Sequence, residues 1–429
     1  MSQAAIPVYA SLAVFSLTYA AISLVRPHRI VIAISGATMM IIVGTSLSFY
    51  GLPDVIHAID FDAIALLLGM MIIANMFGKT GLFQYAAIKG AKLARGNLPL
   101  LLVYLGASVF LLSMILDNMT AILISLPVTV SLTDILGISP LPFIVGEVIL
   151  AQIGGMATLI GSPGNIIIGS AAGFSFRSFL THIAPIAIIA AGGGMGLLFY
   201  LFRRELRGRP ANVNRLLGMD ERGAITDRKK ARRVLLVLGG IILLFLFHDA
   251  IKLTPGIVAM IGAAGALLAL RPDFDTTLKE IRWDTLLFFI SLFIVAGGLN
   301  ASGGFSPLTR GLAGLSEGGL YTVALSLLWG SALLSSVVGT VPFAIAVLPV
   351  FTGLSSSLPS VSPLFWALAI GASAGAAILP TRGKRGAAFL PLFRSLDVPI
   401  PTGRWIKSTV PVALGICAAG SLALILRLL

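Results

Sequence analysis

Long apolar runs separated by short polar joints set the pattern of this chain from end to end. The first run covers about 5–25 and ends in the polar stretch 26–29. Others follow at about 30–50, 63–79, 184–202, 234–248, 256–270, 284–300 and 408–427. Most approach the length a helix needs to cross a hydrocarbon core of about 30 Å. Two stretches, 98–136 and 319–357, are too long for one span and carry a polar break near their middles. Two more, 141–172 and 363–395, are apolar but interrupted, the first by Gly161-Ser162-Pro163-Gly164-Asn165. Residues 80–96 differ again. Lys89, Lys92 and Arg95 alternate with apolar positions, which predicts an amphipathic helix lying on the membrane surface.

Composition agrees with the pattern. The chain of 429 residues is 57% hydrophobic and 11% charged, with a mean hydropathy of +1.00. A soluble domain carries about 25% charged residues. The expected fold class is therefore an all-α polytopic membrane protein. No basic n-region opens the chain and further spans follow directly, so no secretory signal is expected. The single cysteine, Cys417, lies in the last apolar run, which leaves no intrachain disulfide or thiolate metal site.

A net charge of +13 would suit nucleic acid, but its distribution does not. Residues 203–233 hold eleven Lys/Arg against four Asp/Glu, between two apolar runs. That is a topogenic cluster of the positive-inside kind, so no nucleic-acid partner is expected; the lipid bilayer is. Placing 26–29, 79–95, 203–233, 271–282 and 394–407 in the cytoplasm forces 98–136 and 319–357 to enter and leave on one side. They become re-entrant hairpins. The count is then about ten transmembrane helices plus two hairpins and two broken helices, in a cell inner membrane, with both termini outside.

The two halves repeat. Residues 61–83 align without gaps to 283–305, setting Asp62 on Asp284, Gly81 on Gly303 and Phe83 on Phe305. The same offset of 222 sets Ser113 on Ser335 and Pro127 on Pro349. The expected organisation is a first repeat over 1–202, a basic cytoplasmic loop over 203–233, and a second repeat over 234–429. Five spans per half give the repeats opposite orientations. Inverted repeats with interrupted helices are the architecture of secondary transporters, with substrate at the repeat interface.

Inside a membrane, backbone leaves helical geometry only where protein or water satisfies its polar groups, so the breaks mark the candidate site. In the first half these are Asp117-Asn118-Met119-Thr120 and the 161–165 loop. Freed carbonyls and Asn or Ser oxygens suit a hard cation, whereas N–H groups at half-helix starts suit an anion. A polar kink or a helix-packing glycine is the plainer alternative for either motif alone. No phosphate-binding loop of the Walker type and no Ser/His/Asp or HExxH arrangement stands out, so enzyme activity is not expected. His182 and His248 lie near span ends, where packing is a simpler role than proton relay.

The stretch 116–130 (LDNMTAILISLPVTV), followed by 147–173 (EVILAQIGGMATLIGSPGNIIIGSAAG), resembles the ion transporter superfamily. It is similar to the branch of arsenite permeases, NhaD-type sodium/proton antiporters and the melanosomal P protein. The divalent anion/sodium symporters are more distant. The resemblance implies a sodium ion shared by the hairpin tip and the G-S/T-P-x-N loop, here Asp117, Asn118 and Thr120 with Gly161, Ser162, Pro163 and Asn165. It also implies an elevator motion of hairpins and broken helices against a scaffold that includes the spans carrying Asp62 and Asp284, and a homodimer.

The second half departs from this pattern. Asp117 and Asn118 are matched by Gly339 and Thr340, and the 161–165 loop by Arg382-Gly383-Lys384-Arg385-Gly386. A second cation site is therefore not expected. Each charge at a helix centre costs about 2.5–3.5 kcal/mol, so these cations need a partner, water or a use. One reading makes Arg382, Lys384 and Arg385 a permanent cation in place of bound Na⁺, drawing in an anion or neutralising Asp117 and Glu147. The other makes them an ordinary cytoplasmic loop. Asp117 and Glu147 are the carboxylates well inside the first-half elements, and either can trade a proton for Na⁺ or for a basic side chain.

The leading functional expectation is an elevator-type secondary transporter of a small anion, H⁺-coupled or Na⁺-independent. Its substrate groups are Asn118, Thr120, Ser162, Asn165, Thr340, Arg382, Lys384 and Arg385. Its coupling-ion groups are Asp117, Asn118, Glu147, Gly161, Ser162 and Asn165, and Na⁺ or H⁺ takes the place of any cofactor. Two alternatives stand beside it. One is a Na⁺/H⁺ antiporter centred on Asp117. The other is arsenite efflux, alone or with a soluble ATPase partner.

Overall fold

The structure is a computed structural model, and it describes residues 5–24, 29–208, 210–225, 227–315, 319–354, 361–378 and 402–428. The described residues contain helices and no strand. In chain order the first half comprises α1 (Ala5–Leu24), α2 (Arg29–Ser46), α3 (Leu52–Ala58), α4 (Phe61–Gly78), α5 (Leu82–Ala94), α6 (Leu98–Ile115), α7 (Asn118–Leu136), α8 (Leu141–Met156), α9 (Pro163–Ala172), α10 (Phe176–His182) and α11 (Ala184–Leu201). After α12 (Val213–Leu217), the second half comprises α13 (Arg228–Phe247), α14 (Pro255–Leu270), α15 (Phe274–Glu280), α16 (Trp283–Ala301), α17 (Ser306–Leu315), α18 (Leu320–Val338), α19 (Thr340–Leu354), α20 (Ser362–Ile378) and α21 (Thr402–Leu428). Among the described residues, nine helices are long and apolar enough to cross a membrane, and shorter apolar helices accompany them. The protein is a multi-pass, all-α membrane protein.

The helix starts are chemically specified. Asp60, Asn97, Asp117, Ser162, Ser175, Asp227, Thr254 and Asp273 each accept a hydrogen bond from a backbone N–H of the helix that follows. Such caps satisfy N–H groups that would otherwise be orphaned. The run at 30–50 ends earlier than its hydropathy suggests. Tyr50 turns back, its N–H on the Gly44 carbonyl, and a short helix capped by Asp54 follows. The basic segment 203–233 is partly helical, and α13 begins inside it, at Arg228.

The helices form two packing groups. In one, α1 lies on α2, α2 on α16, and α4 on α14, with α13 and α3 at the sides. In the other, α6 packs along α8 and α18 along α20, while α9, α11, α19 and α21 complete the layer. The amphipathic segment is a helix, α5, as its pattern predicts. Its apolar face is covered by protein: Phe83, Ala87, Ile88 and Ala91 are buried, and α5 packs on α6, α7 and the segment 221–224. Lys92 meets Glu221 there at 2.5 Å. The pattern therefore reports packing against α6, α7 and the basic segment.

The offset of 222 reappears in geometry. Gly81 and Gly303 both hold left-handed backbone, φ 74° and 79°. Pro127 and Pro349 both lie inside the second arm of a hairpin. Ser113 Oγ donates to the Ala151 carbonyl at 2.7 Å, and Ser335 Oγ to the Ala372 carbonyl at 3.2 Å. At Gly154 an added Cβ would collide with the Phe110 carbonyl, and at Gly375 with the Ala332 carbonyl. Both helix pairs approach so closely only because these positions lack a side chain.

Candidate functional site

Asp117 caps α7 at the corner of the first hairpin. Its Oδ1 accepts from Thr120 N at 3.2 Å, and Thr120 Oγ1 donates to Oδ2 at 2.5 Å. Arg282, capping α16 in the other packing group, donates to the same Oδ2 at 3.1 Å. The next residue, Asn118, reaches across to α8 and donates to Gln152 Oε1 at 2.5 Å.

The break between α8 and α9 is held by side chains. Thr158 Oγ1 donates to the Met114 carbonyl at 2.6 Å and accepts from Gly161 N at 3.0 Å. Ser162 caps α9 by accepting from Asn165 N at 3.3 Å. Asn165 turns its amide nitrogen onto the carbonyls of Gly155, Met156 and Thr158, at 3.2, 3.0 and 2.9 Å. These carbonyls lost their helical partners when α8 stopped, and a side chain only 1% exposed replaces them. The Asn165 carbonyl oxygen accepts from Ser373 Oγ of α20 at 3.4 Å, which joins the two halves. Gly161 must be glycine, since a Cβ would lie 2.7 Å from the carbonyls of Ser113 and Gly155.

The second hairpin meets the same place. Gly339 turns the corner at φ 103°, and α19 starts at Thr340, whose Oγ1 points to the Ala372 carbonyl at 3.4 Å. Its methyl fills the space a side chain on Gly164 would need. Tyr19 of α1 donates from its hydroxyl to the Pro342 carbonyl at 3.1 Å.

Between these parts lies a cavity of about 380 Å³. Asn118, Ser162 and Thr340, three of the expected substrate groups, line it. So do Gln152, Ser373, Phe288, Phe289 and Arg29. Three helices, α7, α9 and α19, present their first turns to it. Each adds the partial positive charge of a helix N-terminus. Arg29 is the charged residue among the described lining residues, and no carboxylate accompanies it there.

Other predicted residues lie around rather than in this cavity. Asp117, Thr120, Gly161 and Asn165 do not line it but position its lining residues through the bonds above. Glu147 is elsewhere. It is fully buried between α7 and α8, with Thr129 Oγ1 at 2.5 Å and Ser125 Oγ at 3.2 Å, and it does not line the cavity. The groups expected to hold Na⁺ each have another partner: Asp117 has Arg282, Asn118 has Gln152, Ser162 caps α9, and Asn165 covers three carbonyls. Among the described residues no group of three His, Cys, Asp or Glu is placed to hold a metal ion. Arg382, Lys384 and Arg385 lie outside the described residues. His248 is a bracket: Nε2 accepts from Phe176 N at 3.2 Å and Nδ1 meets the Leu253 carbonyl at 2.8 Å. His182 stacks on Trp366, with ring centroids 4.7 Å apart.

Sequence reasoning missed Arg29, Arg282, Gln152 and Ser373. The two arginines read as flanking charges that orient spans. The other two are single polar residues in apolar helices, with no local break to mark them.

Residues 19–371 match the model of a family described as a citrate transporter, CitMHS. A 46 kDa membrane protein of Mycobacterium leprae is 34% identical over 432 residues, 98% of either chain. A transporter of Mycobacterium tuberculosis is 34% identical over 397 residues, 91% of this chain and 92% of that one. The mouse P protein is 30% identical over 433 residues, which cover 81% of this chain and 52% of the relative. That match bears out the resemblance carried by 116–130 and 147–173. Among solved structures, the YdaH transporter of Alcanivorax borkumensis superposes with a TM-score of 0.57 at 14% identity, covering 100% of this chain and 98% of that one. MtrF of Neisseria gonorrhoeae, described as illuminating a class of antimetabolite efflux pumps, gives 0.58 at 13%, covering 96% and 97%.

Proposed function

The chain belongs to the citrate transporter family CitMHS, and from that premise we propose that it carries a small anion, with polycarboxylates such as citrate the first class to test. It is a membrane transporter rather than an enzyme. The observation that carries the anion reading is the cavity lining: one arginine, three helix N-termini, hydroxyls and amides, with no carboxylate among the described residues. Oxygen-rich carboxylate surrounds would suit a cation, and this lining has the opposite sign. Its volume of about 380 Å³ falls in the range of small-molecule pockets, about 300–1,000 Å³.

In this reading Arg29 pairs with one carboxylate of the substrate, and Asn118, Gln152, Ser162, Thr340 and Ser373 supply neutral hydrogen bonds. Phe288 and Phe289 give the cavity an apolar wall that sheds water on binding. The cavity lies between the packing groups, so sliding one against the other would carry the anion across. The repeated contacts at an offset of 222 support two inverted repeats over 1–202 and 234–429, and with them an elevator motion. The positive-inside count supports an inner-membrane orientation with 203–233 in the cytoplasm and both termini outside. The Arg282 partner of Asp117 favours H⁺ coupling or Na⁺ independence, since a Na⁺/H⁺ antiporter centred on Asp117 would first have to displace that arginine. A homodimer follows the family resemblance alone, and an ATPase partner belongs only to the arsenite alternative.

The test is thermal stability of the purified protein with citrate, other carboxylates, sulfate and arsenite, each with Na⁺ and with choline. A ligand at a hundred times its Kd adds about 2.7 kcal/mol. Stabilisation by a carboxylate regardless of Na⁺ is expected. Stabilisation by Na⁺ alone would overturn the anion reading.

A further inference from the structure

A second cavity, of about 370 Å³, lies where the end of α11 meets the start of α21, away from the substrate cavity. Arg203, Arg204, Arg404 and Lys407 line it, with Glu205 as the acid among them. Glu205 is engaged by Arg404 at 3.1 Å. Among the described residues Arg204 and Lys407 have no acidic partner, and Arg203 lies over the Tyr200 ring at 5.3 Å. Among the described residues the cations therefore exceed the acids that pair with them.

The surroundings indicate what could supply the missing charge. The two helices that form the cavity pack together and expose apolar side chains along their lengths: Ile188, Ile189 and Tyr200 on α11, Leu414 and Leu422 on α21. Such faces contact acyl chains in a bilayer. The cavity thus sits where lipid-facing helix gives way to concentrated positive charge, which is the place of a phospholipid headgroup. A soluble anion needs only the cations. A lipid uses both the cations and the exposed apolar side chains on the same two helices. Basic pockets at helix ends on one side of a membrane are a recognised chemistry for anionic headgroups.

We propose that this cavity binds the phosphate headgroup of an anionic phospholipid, with Arg204 and Lys407 as its contacts and its chains lying along the exposed apolar side chains of α11 and α21. The Arg404–Glu205 pair fixes the distance between the two helix ends. Bound lipid would fasten α11 to α21 and so stiffen the packing group that contains both hairpins. The site stands whether or not the transported species is an anion.

The test compares delipidated protein with phosphatidylglycerol, phosphatidylcholine and inorganic phosphate, read by native mass spectrometry and melting temperature. Wild-type protein should retain and be stabilised by phosphatidylglycerol alone. Each cation near a charged lipid surface changes binding about fivefold. Arg204→Gln/Lys407→Gln should therefore bind phosphatidylglycerol about 25-fold more weakly, with an unchanged melting temperature in phosphatidylcholine. Arg204→Lys/Lys407→Arg should bind as wild type. Should the double variant not fold, Lys407→Gln alone should give the fivefold loss. Equal phosphatidylglycerol binding by wild type and the glutamine variants would overturn the proposal. So would equal stabilisation by phosphatidylcholine, or by inorganic phosphate, which would make this a soluble-anion site.

Discussion

Asp117 and Arg282 are 165 residues apart in sequence and joined at 3.1 Å, tying the tip of the first hairpin to the start of α16. Across the cavity, Tyr19 and the Pro342 carbonyl tie the second tip to α1 at the same distance. Among the described residues, each hairpin tip thus makes a polar contact with the opposite packing group. Both must break if the groups slide.

The ion pair can be measured directly. The Asp117 side chain is 14% exposed and the Arg282 side chain 35%, so solvent screens the pair only in part. Arg282→Ala should cost about 1–2 kcal/mol of stability, much of it from a carboxylate left with only the Thr120 N–H and hydroxyl. Asp117→Asn/Arg282→Gln should cost less than the two single changes added together. A double-mutant cycle by thermal unfolding checks this, and strict additivity would mean that the pair contributes nothing.

How far the sequence foretold this arrangement depends on how local each signal was. The offset of 222 was legible because a gapless match and two landmark residues lie in the primary pattern, and Ser113 and Ser335 make matching bonds. The breaks at 117–120 and 161–165 were legible because Gly, Pro, Asp and Asn cannot continue an apolar helix without reason. Arg29 and Arg282 were not. Each ends a polar joint beside a span, the usual position of a topogenic charge, and only the tertiary fold brings them to the hairpin tips. Glu147 was legible as a carboxylate in an apolar run, but its distance from the cavity was not: its partners are two hydroxyls on the neighbouring helix, Ser125 and Thr129.

Glycine at the two matched crossings should be indispensable. Gly154→Ala and Gly375→Ala each drive a methyl into a backbone carbonyl of the partner helix, which cannot rotate away. Overpacking of this kind costs about 1–3 kcal/mol. Gly192→Ala has nothing within 4 Å and serves as the control. Melting temperatures of the three variants in one detergent should separate the first two from the third.

Asn165 tests whether its amide is structural. Asn165→Ala leaves three buried carbonyls and the Ser373 hydroxyl short of partners. Buried unsatisfied groups cost about 1–3 kcal/mol each, though shared bonds lower the sum. Asn165→Asp should be worse than alanine, because it points a carboxylate at three carbonyl oxygens. An aspartate variant as stable as wild type would mean that the opposite amide orientation is the real one.

A pH dependence is expected outside the membrane spans. Lys79 Nζ lies 2.5 Å from Glu280, and its hydrogen bond, helped by Asn75, holds the Glu280 carboxyl below the usual glutamate range. A lowered folded-state pKa stabilises above the unfolded value, about 4.3, and the stabilisation is lost as pH falls through the folded value. Lys79→Gln should therefore remove a small stabilisation at neutral pH and flatten the loss on the acid side of pH 4, so that variant and wild type converge at low pH. The pair is solvent-exposed, so the effect should shrink in high salt.

Arg29 carries the most direct consequence for transport. If its guanidinium holds a carboxylate of the substrate, Arg29→Gln should abolish stabilisation by the anion and reduce uptake into proteoliposomes at least tenfold. A charge-assisted hydrogen bond is worth about 1.5–3 kcal/mol, and a loss of 1.4 kcal/mol already means a tenfold change in affinity. Arg29→Lys keeps the charge but not the planar fork, so it should raise the apparent KM more than it lowers the maximal rate. Ser162→Ala removes a cap as well as a cavity hydroxyl and should lower stability and affinity together. Arg29→Gln, whose residue begins α2 and has no acidic partner among the described residues, should lower affinity alone. That contrast separates a substrate contact from a structural one. If Arg29→Gln transports as wild type does, the positive charge that admits the anion has to come from elsewhere, and the cations at 382–385 become the next residues to replace.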